Sequence, residues 1–475
     1  MEWFDSGWGV GLATFFPVLG SIALLFVPNS RERAIKMVGT VAAGLALLAG
    51  IVVAIRFDYS NAGEIQLDTD LEWISQIGAR YHIGVDGISL PLLVLSVLVT
   101  FLCCIYLWFE VPAPGRPKAF FALTLLLETG MNGSFVALDL ILFFIFWELV
   151  LVPMYFMIGI WGGPRREYAA VKFFLYTLFG SIFMLLGFLA LWIKSGGTDG
   201  GTFDMILLRE QGIQASELFQ NLVFLGLFLG FAIKVPMWPF HTWLPDAHTE
   251  APTVGSVLLA AILLKMGTYG FIRIALPILP DAAVTYAPII GILAVIAIIY
   301  GALCCLAQTD LKRLIAFSSV GHMGFVMLGI ATLTDIGING AIFGMVAHGL
   351  ITGMLFFLAG SIHERYHTRE IADLGGILKQ IPRFGSVFTY AAIASLGLPG
   401  LAGFWGEMLA LLGAYNPAPG LNVTLFRVLM VGGGIGTVIT AGYLLWTVQR
   451  VNLGTIPTRF ADGKGIHDVV GLEWA

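Results

Sequence analysis

Charged residues are scarce in this sequence. They make up 12% of the 475 residues, whereas hydrophobic residues make up 58% and the mean hydropathy is +0.89. Soluble globular proteins carry about 25% charged residues, so the composition excludes an ordinary soluble domain and predicts a protein that crosses the membrane many times. The formal net charge of −5 is spread over loops, so lipid is an expected partner and nucleic acid is not.

Cysteine is also rare. The four cysteines form two adjacent pairs, Cys103-Cys104 and Cys304-Cys305, inside apolar segments. Zinc and iron–sulfur sites need thiolates at looped spacings such as C-x₂-C, so these pairs are interpreted as packing residues. The sequence has no Walker motif, and its glycine-rich run 432–436 lacks the dinucleotide spacing and favours close helix packing. No cofactor and no metal is therefore expected in this chain.

Apolar stretches of bilayer length are abundant, and they predict an all-α polytopic membrane protein of about thirteen helices. The predicted spans are 9–28, 35–55, 84–109, 118–136, 137–160, 168–193, 218–240, 254–274, 284–305, 313–332, 337–362, 384–413 and 424–449. The N-terminal sequence MEWFDSGWGVGL has neither a basic region nor a small-residue cleavage site, so the first span is expected to be retained.

Basic residues predict the orientation, because cytoplasmic loops of membrane proteins are enriched in lysine and arginine. With the N-terminus outside, 17 of the 25 lysines and arginines fall on the cytoplasmic side and six fall outside. The C-terminal tail is then cytoplasmic. The two basic residues that remain, Lys234 and Lys265, are predicted to lie at membrane depth.

Lys234 lies in the stretch LFLGFAIKVPMWPFHTWLPDAHTEAP, where Pro236 and Pro239 follow it closely. Proline removes a backbone donor and clashes with the preceding turn, so the helix should break beside the lysine. In hydrocarbon such a break needs protein or a water-filled cavity around it. A lone Lys–Pro pair would also fit a kinked helix with a lysine that snorkels to the interface, so the other charges must decide.

Two acidic residues lie within long apolar segments: Glu148 in FFIFWELVLVPMYF and Glu407 in LPGLAGFWGEMLALL. At membrane depth a carboxylate is expected to face the bundle interior or a cavity and to have a partner there. Asp86 and Glu128 also lie in or near predicted spans, and they are interpreted as packing or interface residues.

Two histidines, His322 in SSVGHMGFVML and His348 in GMVAHGLITGML, are also predicted to lie within the membrane. An intramembrane histidine can hydrogen-bond a neighbouring helix, ligate haem or relay protons. The sequence alone leaves these alternatives open.

A second helix break is predicted at Leu398-Pro399-Gly400, shortly before Glu407. Broken segments in corresponding halves are typical of transporters built from inverted repeats around midplane sites. Two inverted five-helix repeats are therefore predicted. The divisions are 1–117 for the first three helices, 118–274 for the first repeat with its break near 234–239, 275–449 for the second repeat with its break near 398–403, and 450–475 for the cytoplasmic tail.

Four charges at membrane depth would each cost about 2.5–3.5 kcal/mol on insertion scales, which indicates that they have a function. Pairing Glu148 with Lys234 would offset much of this cost, and separating the two would change the charge state of either group. A hydrophilic line from Glu148 through the two lysines and the histidines to Glu407 could carry a proton, with half-channels at the two breaks. The energy would have to come from partner subunits or from a counter-ion gradient.

Five segments resemble the core of the antiporter-like membrane subunits of respiratory complex I, and most of all its M-type subunit. They are FFIFWELVLVPMYFMIGIWGG, KFFLYTLFGSIFMLLG, KVPMWPFHTWLPDAHTEAPTVGSVLLAAILLKMGTYG, SSVGHMGFVMLGI and ASLGLPGLAGFWGE. The resemblance implies a proton-translocating subunit of the membrane arm of NADH:quinone oxidoreductase. It also implies that Glu148 and Lys234 are the family's coupled pair and Lys265 its central lysine. Glu407 would be the terminal residue, where the L- and N-type relatives typically carry lysine.

The resemblance further implies a larger assembly. NADH, FMN, iron–sulfur clusters and quinone would be bound by other subunits, and the L- and N-type antiporter-like subunits would be partners. The chain would lie in the cell inner (cytoplasmic) membrane. Members of this family usually carry a fourteenth membrane helix, and the sequence ends where that helix would begin.

Three other functions are compatible with these residues. A subunit of a multisubunit sodium/proton antiporter, or of a membrane-bound hydrogenase, would share the same core. A haem-binding electron carrier would use His322 and His348. A passive scaffold would need the buried charges for assembly alone.

Overall fold

The computed structural model of the protein describes residues 7–212, 215–463 and 465–469. α-Helices form most of it, because a helix satisfies the backbone groups of an apolar run within the run itself. In chain order the helices are α1 (Trp8–Leu25), α2 (Glu32–Arg56), α3 (Ser89–Tyr106), α4 (Pro117–Val136), α5 (Leu140–Leu149), α6 (Leu151–Trp161), α7 (Arg166–Lys194), α8 (Met205–Gln211), α9 (Glu217–Lys234), α10 (Trp243–Glu250), α11 (Thr253–Leu258), α12 (Leu264–Gly270), α13 (Leu276–Ile278), α14 (Pro280–Leu306), α15 (Leu311–Ala331), α16 (Asp335–Tyr366), α17 (Ile377–Gln380), α18 (Pro382–Ser395), α19 (Ala402–Tyr415) and α20 (Val423–Thr447).

Twelve helical segments within these described ranges are long and apolar enough to cross a membrane. They correspond to twelve of the thirteen predicted spans. The thirteenth, 384–413, falls on α18 and α19, two 14-residue helices separated by a turn at 396–401. The prediction of a polytopic helical membrane protein, with a break in this segment, is confirmed.

A two-stranded antiparallel sheet lies between α2 and α3, formed by β1 (Gln66–Ile74) and β2 (Ala79–Val85). The sheet is not predicted from the sequence, because the acidic residues of this stretch also fit a solvated loop. In the hairpin Glu72 lies opposite Arg80, and the Arg80 guanidinium pairs with the diagonal neighbour Asp70 at 2.6 Å. Cross-strand pairs of opposite charge stabilise such a sheet.

A buried ion pair connects the hairpin to the N-terminus of α8. His82 Nδ1 lies 2.5 Å from an oxygen of Asp204, the N-cap residue of α8. Burial lowers the pKa of His82, but the contact with Asp204 outweighs this effect and places the pKa above its ordinary value of 6.5. Burial also raises the pKa of Asp204, but His82 and the backbone N–H groups of α8 place that pKa below 3.8.

The described helices group into two compact units. The first comprises the described residues up to Val235 together with Ile262–Thr285, and the second comprises Pro236–Ala261 and the described residues from Tyr286 onward. The inverted repeats and their boundaries at 117, 274 and 449 stay predictions.

Aromatic side chains fill the core of the first unit beside the end of α9. Trp147 is buried, and its ring packs against Phe143 and Phe231 with centroids 5.5 and 5.7 Å apart. Such ring pairs stabilise more than their buried area alone. Cys103 and Cys104 are buried free thiols in α3, as packing residues would be.

Close contact between α16 and α19 organises the second unit. A Cβ atom at Gly406 would lie 2.7 Å from the Cα of Gly344, so the two backbones can approach this closely only with glycine at the contact. Glu407 follows Gly406 directly, and the contact therefore holds the Glu407 side chain in the interior of this unit.

Candidate functional site

Lys234 is the last residue of α9, and the helix ends there because Pro236 cannot continue it. The predicted span 218–240 is thus interrupted, and regular helix resumes only at Trp243. Lys234 itself is 1% exposed. The broken helix next to a buried lysine is confirmed.

Glu148 and Lys234 lie in one cluster of the first unit. The Lys234 ammonium lies 4.9 Å from the centroid of the Trp147 ring, and the Trp147 indole N–H donates to the Ser181 hydroxyl at 2.9 Å. The half-buried carboxyl group of Glu148 interacts with the same hydroxyl and with the charge of Lys234. A cation over an indole ring is stabilised by the ring electrons, and this effect strengthens when water is excluded.

Lys265 is fully buried on α12 of the first unit. Two π-helical turns flank α12, Leu259–Leu263 and Phe271–Ala275. Such turns leave the regular hydrogen-bond ladder and occur frequently at functional sites. Because a buried ammonium is costly in an apolar environment, the position of Lys265 indicates a function.

His322, His348 and Glu407 form a second cluster, in the second unit. His322 Nδ1 lies 3.3 Å from Glu407 Oε1, and His322 Nε2 lies 3.0 Å from the Ser395 hydroxyl. The other carboxylate oxygen of Glu407 accepts a hydrogen bond from Thr437 at 3.2 Å. The imidazole of His322 therefore has a polar partner at each of its two nitrogens.

The His348 ring lies beside His322, with centroids 5.7 Å apart and an interplanar angle of 60°. Both rings and Glu407 line a cavity with about 30 Å³ available to water centres. One water needs about 10–15 Å³ on this measure, so the cavity has room for roughly two. This arrangement could link the two histidines through water.

The break between α18 and α19 shapes this cluster. Gly397 has φ +80°, a conformation that favours glycine, and a Cβ atom there would lie 2.9 Å from Glu407 Oε2. The turn can therefore approach the carboxylate because residue 397 has no side chain.

The structure brings five of the six predicted residues into two separate clusters. Glu148 joins Lys234 in the first unit, and the two histidines join Glu407 in the second. Lys265 lies in the first unit on a different helix. A continuous line through all six stays a prediction.

Several polar residues that contact these clusters could not be identified from the sequence. Ser181, Ser395 and Thr437 are short hydroxyl side chains in apolar helices, and serine and threonine are common there without any function. His248 is 0% exposed and stacks on Phe356 at 4.7 Å. The position of His248 shortly after the helix break beside Lys234 was the one sequence feature that could have identified it.

Two further basic residues are buried. Arg273 is 7% exposed, and its Nη2 lies 2.5 Å from an oxygen of Asp86, which also accepts from the first backbone N–H groups of α3. Lys312 is 4% exposed near the start of α15. In the predicted topology Arg273 lies at the outer end of a helix and Lys312 lies in a cytoplasmic loop, so neither residue was predicted to be buried.

Comparison with known proteins identifies the fold and the family. The family model described as NADH:quinone oxidoreductase/Mrp antiporter, TM, matches residues 137–432, which include all six predicted site residues. The chain belongs to this family. Within the NADH:quinone oxidoreductase/Mrp antiporter family, it is 41% identical over 450 residues to NADH-quinone oxidoreductase subunit M of Rickettsia prowazekii. That alignment covers 94% of this chain and 88% of the relative.

Two solved structures of the family share this fold. Respiratory complex I from Thermus thermophilus with bound NADH contains a chain with a TM-score of 0.86 and 31% identity, covering 98% of this chain and 92% of that one. The Mrp complex from Dietzia sp. contains a chain with a TM-score of 0.82 and 22% identity, covering 94% and 80%. The Mrp likeness, at its lower identity, shows the fold alone.

Proposed function

We propose that this chain translocates protons as an antiporter-like subunit of the membrane arm of a respiratory NADH:quinone oxidoreductase. The proposed relay consists of the titratable residues Glu148, Lys234, Lys265, His322, His348 and Glu407. The family match, the 41% identity to a subunit M and the likeness to a chain of complex I support the assignment.

The contacts of His322 carry the proposal. An imidazole can accept a proton at one nitrogen and release another from the second, and here Nε2 faces the Ser395 hydroxyl while Nδ1 faces Glu407. The proton can thus enter at one end of the ring and leave towards the carboxylate. His348 and the adjoining cavity supply a second titratable ring and room for water.

The Glu148–Lys234 pair would act as a charge-sensitive switch. While the carboxylate is ionised it attracts the ammonium, and when it takes up a proton this attraction is lost. The Trp147 ring, 4.9 Å away, continues to stabilise the cation, so Lys234 can hold its charge briefly before passing on a proton.

Other subunits would drive this transfer. In this proposal the chain has no redox centre, and NADH, FMN, iron–sulfur clusters and quinone are bound by partner subunits. The L- and N-type antiporter-like subunits are the proposed neighbours. The proposed location is the cell inner (cytoplasmic) membrane, with the N-terminus outside and the tail 450–475 in the cytoplasm.

The second candidate function is a subunit of a sodium/proton antiporter or a membrane-bound hydrogenase. The fold of the Mrp chain favours the antiporter, but its 22% identity is lower than that of the subunit M relative. The contacts of His322 argue against haem ligation, because its Nδ1 faces Glu407 and its Nε2 faces the Ser395 hydroxyl, so both ring nitrogens already have partners within the protein.

The test is Glu407→Gln, which keeps the side-chain shape and removes titration. The purified complex, reconstituted in vesicles, should remain assembled while NADH-driven proton pumping falls by roughly 100-fold, the lower end of the range for losing a proton-transfer group. The control is Asp335→Asn, an exposed residue in the first turn of α16 whose loss should leave pumping unchanged.

The same preparation separates the two candidate functions. If this chain fails to co-purify with NADH:quinone reductase subunits and the vesicles instead exchange sodium for protons without NADH, the antiporter is correct. Native pumping in Glu407→Gln would contradict the relay.

A further inference from the structure

A buried lysine outside the proposed relay holds the end of a helix in the second unit. Lys312 is the second residue of α15 and is 4% exposed. Its ammonium donates a hydrogen bond to the carbonyl of Ala251, which is the C-cap residue of α10. The last carbonyls of a helix lack partners within it, and cations are favourable at that end.

A second cation binds the same end of α10. Arg369 donates from Nη1 to the carbonyl of Thr249 at 2.8 Å, and its Nε lies 3.2 Å from Asp310. Asp310 is also the N-cap of α15, where it accepts from the backbone N–H of Arg313. Lys312 and Arg369, which bind carbonyls at the end of α10, and Asp310, which binds Arg369, are together named the carbonyl clamp.

Backbone pairing makes the carbonyl clamp rigid. Leu311 N–H donates to the carbonyl of Arg369 at 2.9 Å, and Ile371 N–H donates to the carbonyl of Thr309 at 2.7 Å. These two hydrogen bonds connect the start of α15 to the segment that follows α16. Three elements of the second unit, α10, α15 and α16, meet at this point.

Two of these three elements carry residues of the proposed relay. α15 carries His322 and α16 carries His348. α10 lies between two interruptions of the helix, at 235–242 and at 251–252, and the chain continues from there into the segment with Lys265. A short helix between two breaks has few hydrogen bonds of its own to fix its position.

We propose that Lys312 is a positioning residue for proton translocation, holding α10 in place against the helices of the two histidines through the carbonyl of Ala251. This inference rests on the proposed function. Burial and the charge of Arg369 oppose the Lys312 charge, the carboxylates of Asp310 and Glu250 favour it, and the hydrogen bond to Ala251 places the amino group at the end of α10. Without the ammonium the buried carbonyl loses its partner, and α10 can shift away from α15.

The chain contains a matched lysine for comparison. Lys118 donates to the carbonyls of Leu25 and Val27 at 2.9 and 3.0 Å, at the C-terminal end of α1. Lys118 makes the same type of contact as Lys312 at a half-buried position, but α1 carries none of the proposed relay residues. A general effect of losing a helix cap should therefore appear in both positions, whereas an effect on translocation should appear only at Lys312.

The experiment compares Lys312→Met, Lys312→Arg and Lys118→Met in the full complex, reconstituted in vesicles. Assembly is measured by NADH oxidation with an artificial acceptor, and translocation is measured by proton pumping. Lys312→Met should assemble and pump about tenfold more slowly, equivalent to about 1.4 kcal/mol in the barrier. Lys312→Arg, which keeps a cationic donor, should regain most of this loss, and Lys118→Met should pump normally.

The solvent deuterium isotope effect on turnover separates positioning from loss of folded protein. If proton transfer becomes slower in each molecule, the isotope effect in Lys312→Met should rise above the native value, whereas fewer active molecules would leave it unchanged. Native pumping, an unchanged isotope effect or an equal defect in Lys118→Met would overturn the assignment. If Lys312→Met does not assemble, Lys312→Gln takes its place, and failure of both would assign Lys312 to folding and overturn the proposal. Normal pumping in Lys234→Met would instead refute the underlying relay.

Discussion

The Glu148–Lys234 pair gives the strongest test of the relay in the first unit, because each member can be removed while the shape of the site is kept. Glu148→Gln leaves the amide where the carboxyl group was and leaves the Lys234 ammonium buried, at 1% exposure. Lys234→Met removes the ion together with its contact to the Trp147 ring, 4.9 Å away. The double variant removes the whole pair.

The size of the effect follows from this geometry. Removing one partner of a fully buried ion pair costs about 3–5 kcal/mol. Since Glu148 is only half-buried and interacts with the Lys234 charge at longer range than a direct ion pair, we reduce this to about 2 kcal/mol. The tryptophan ring contributes at most about 2 kcal/mol to holding the remaining cation, and it does so already in the native protein. A barrier raised by about 2 kcal/mol slows turnover by roughly 30-fold.

The assay is NADH-driven acidification of vesicles that contain the purified complex. Each single variant should reduce the initial rate of pumping by roughly 30-fold, while NADH oxidation with an artificial acceptor stays native and shows that the complex is assembled. The control is Glu128→Gln. Glu128 is 0% exposed in α4 of the same unit and interacts with Asn132, so its substitution tests whether the loss of any buried carboxyl group reduces pumping, and we expect pumping to stay native.

The double variant decides whether the two residues act as one device. Residues of one network show strongly non-additive effects, so the combined loss should be no larger than the greater of the two single losses. Native pumping in both single variants would refute the relay through this pair. Losses that multiply in the double variant would show two independent roles and refute the switch.

Two further predictions concern other parts of the structure. Gly397→Ala should slow pumping in assembled complex several-fold, because a Cβ atom would lie 2.9 Å from Glu407 Oε2 and residue 397 has φ +80°; equal rates in native and variant vesicles would contradict the arrangement. The His82–Asp204 pair should be fully stabilising between about pH 4 and 6.5 and weaken as pH rises through the raised pKa of His82. His82→Ala should therefore accelerate hydrogen exchange in α8 at pH 6 and change it little at pH 9, and an equal effect at both values would refute the ion pair.

Sequence patterns were sufficient wherever one residue type determines the local structure. The end of α9 at Lys234 follows from Pro236, and the interruption before α19 follows from Pro399 and its glycine neighbours. A charge in an apolar run likewise identifies Glu148 and Glu407 as interior residues, since lipid excludes them. These inferences need no knowledge of how the helices pack.

Pairings between distant residues could not be obtained in this way. The contact of His322 with Glu407 depends on how α15 packs against α19, and the position of α19 depends in turn on its close approach to α16 at the facing glycines Gly344 and Gly406. Lys312 directly precedes the predicted span 313–332 and is therefore predicted to lie in a cytoplasmic loop, whereas its partner Ala251 lies 61 positions earlier. Only the packed structure brings such residues together.

The two clusters have a common construction that bears on how a proton could move. Each places a serine hydroxyl beside a titratable group: Ser181 interacts with Glu148, and Ser395 lies 3.0 Å from His322. A hydroxyl can donate and accept at the same time, whereas an ammonium can only donate and a carboxylate can only accept. A hydroxyl group can therefore hydrogen-bond its neighbour in either charge state of that neighbour. The titratable residues are the groups that can bind the proton, and the hydroxyl groups lower the free-energy cost of protonating and deprotonating them.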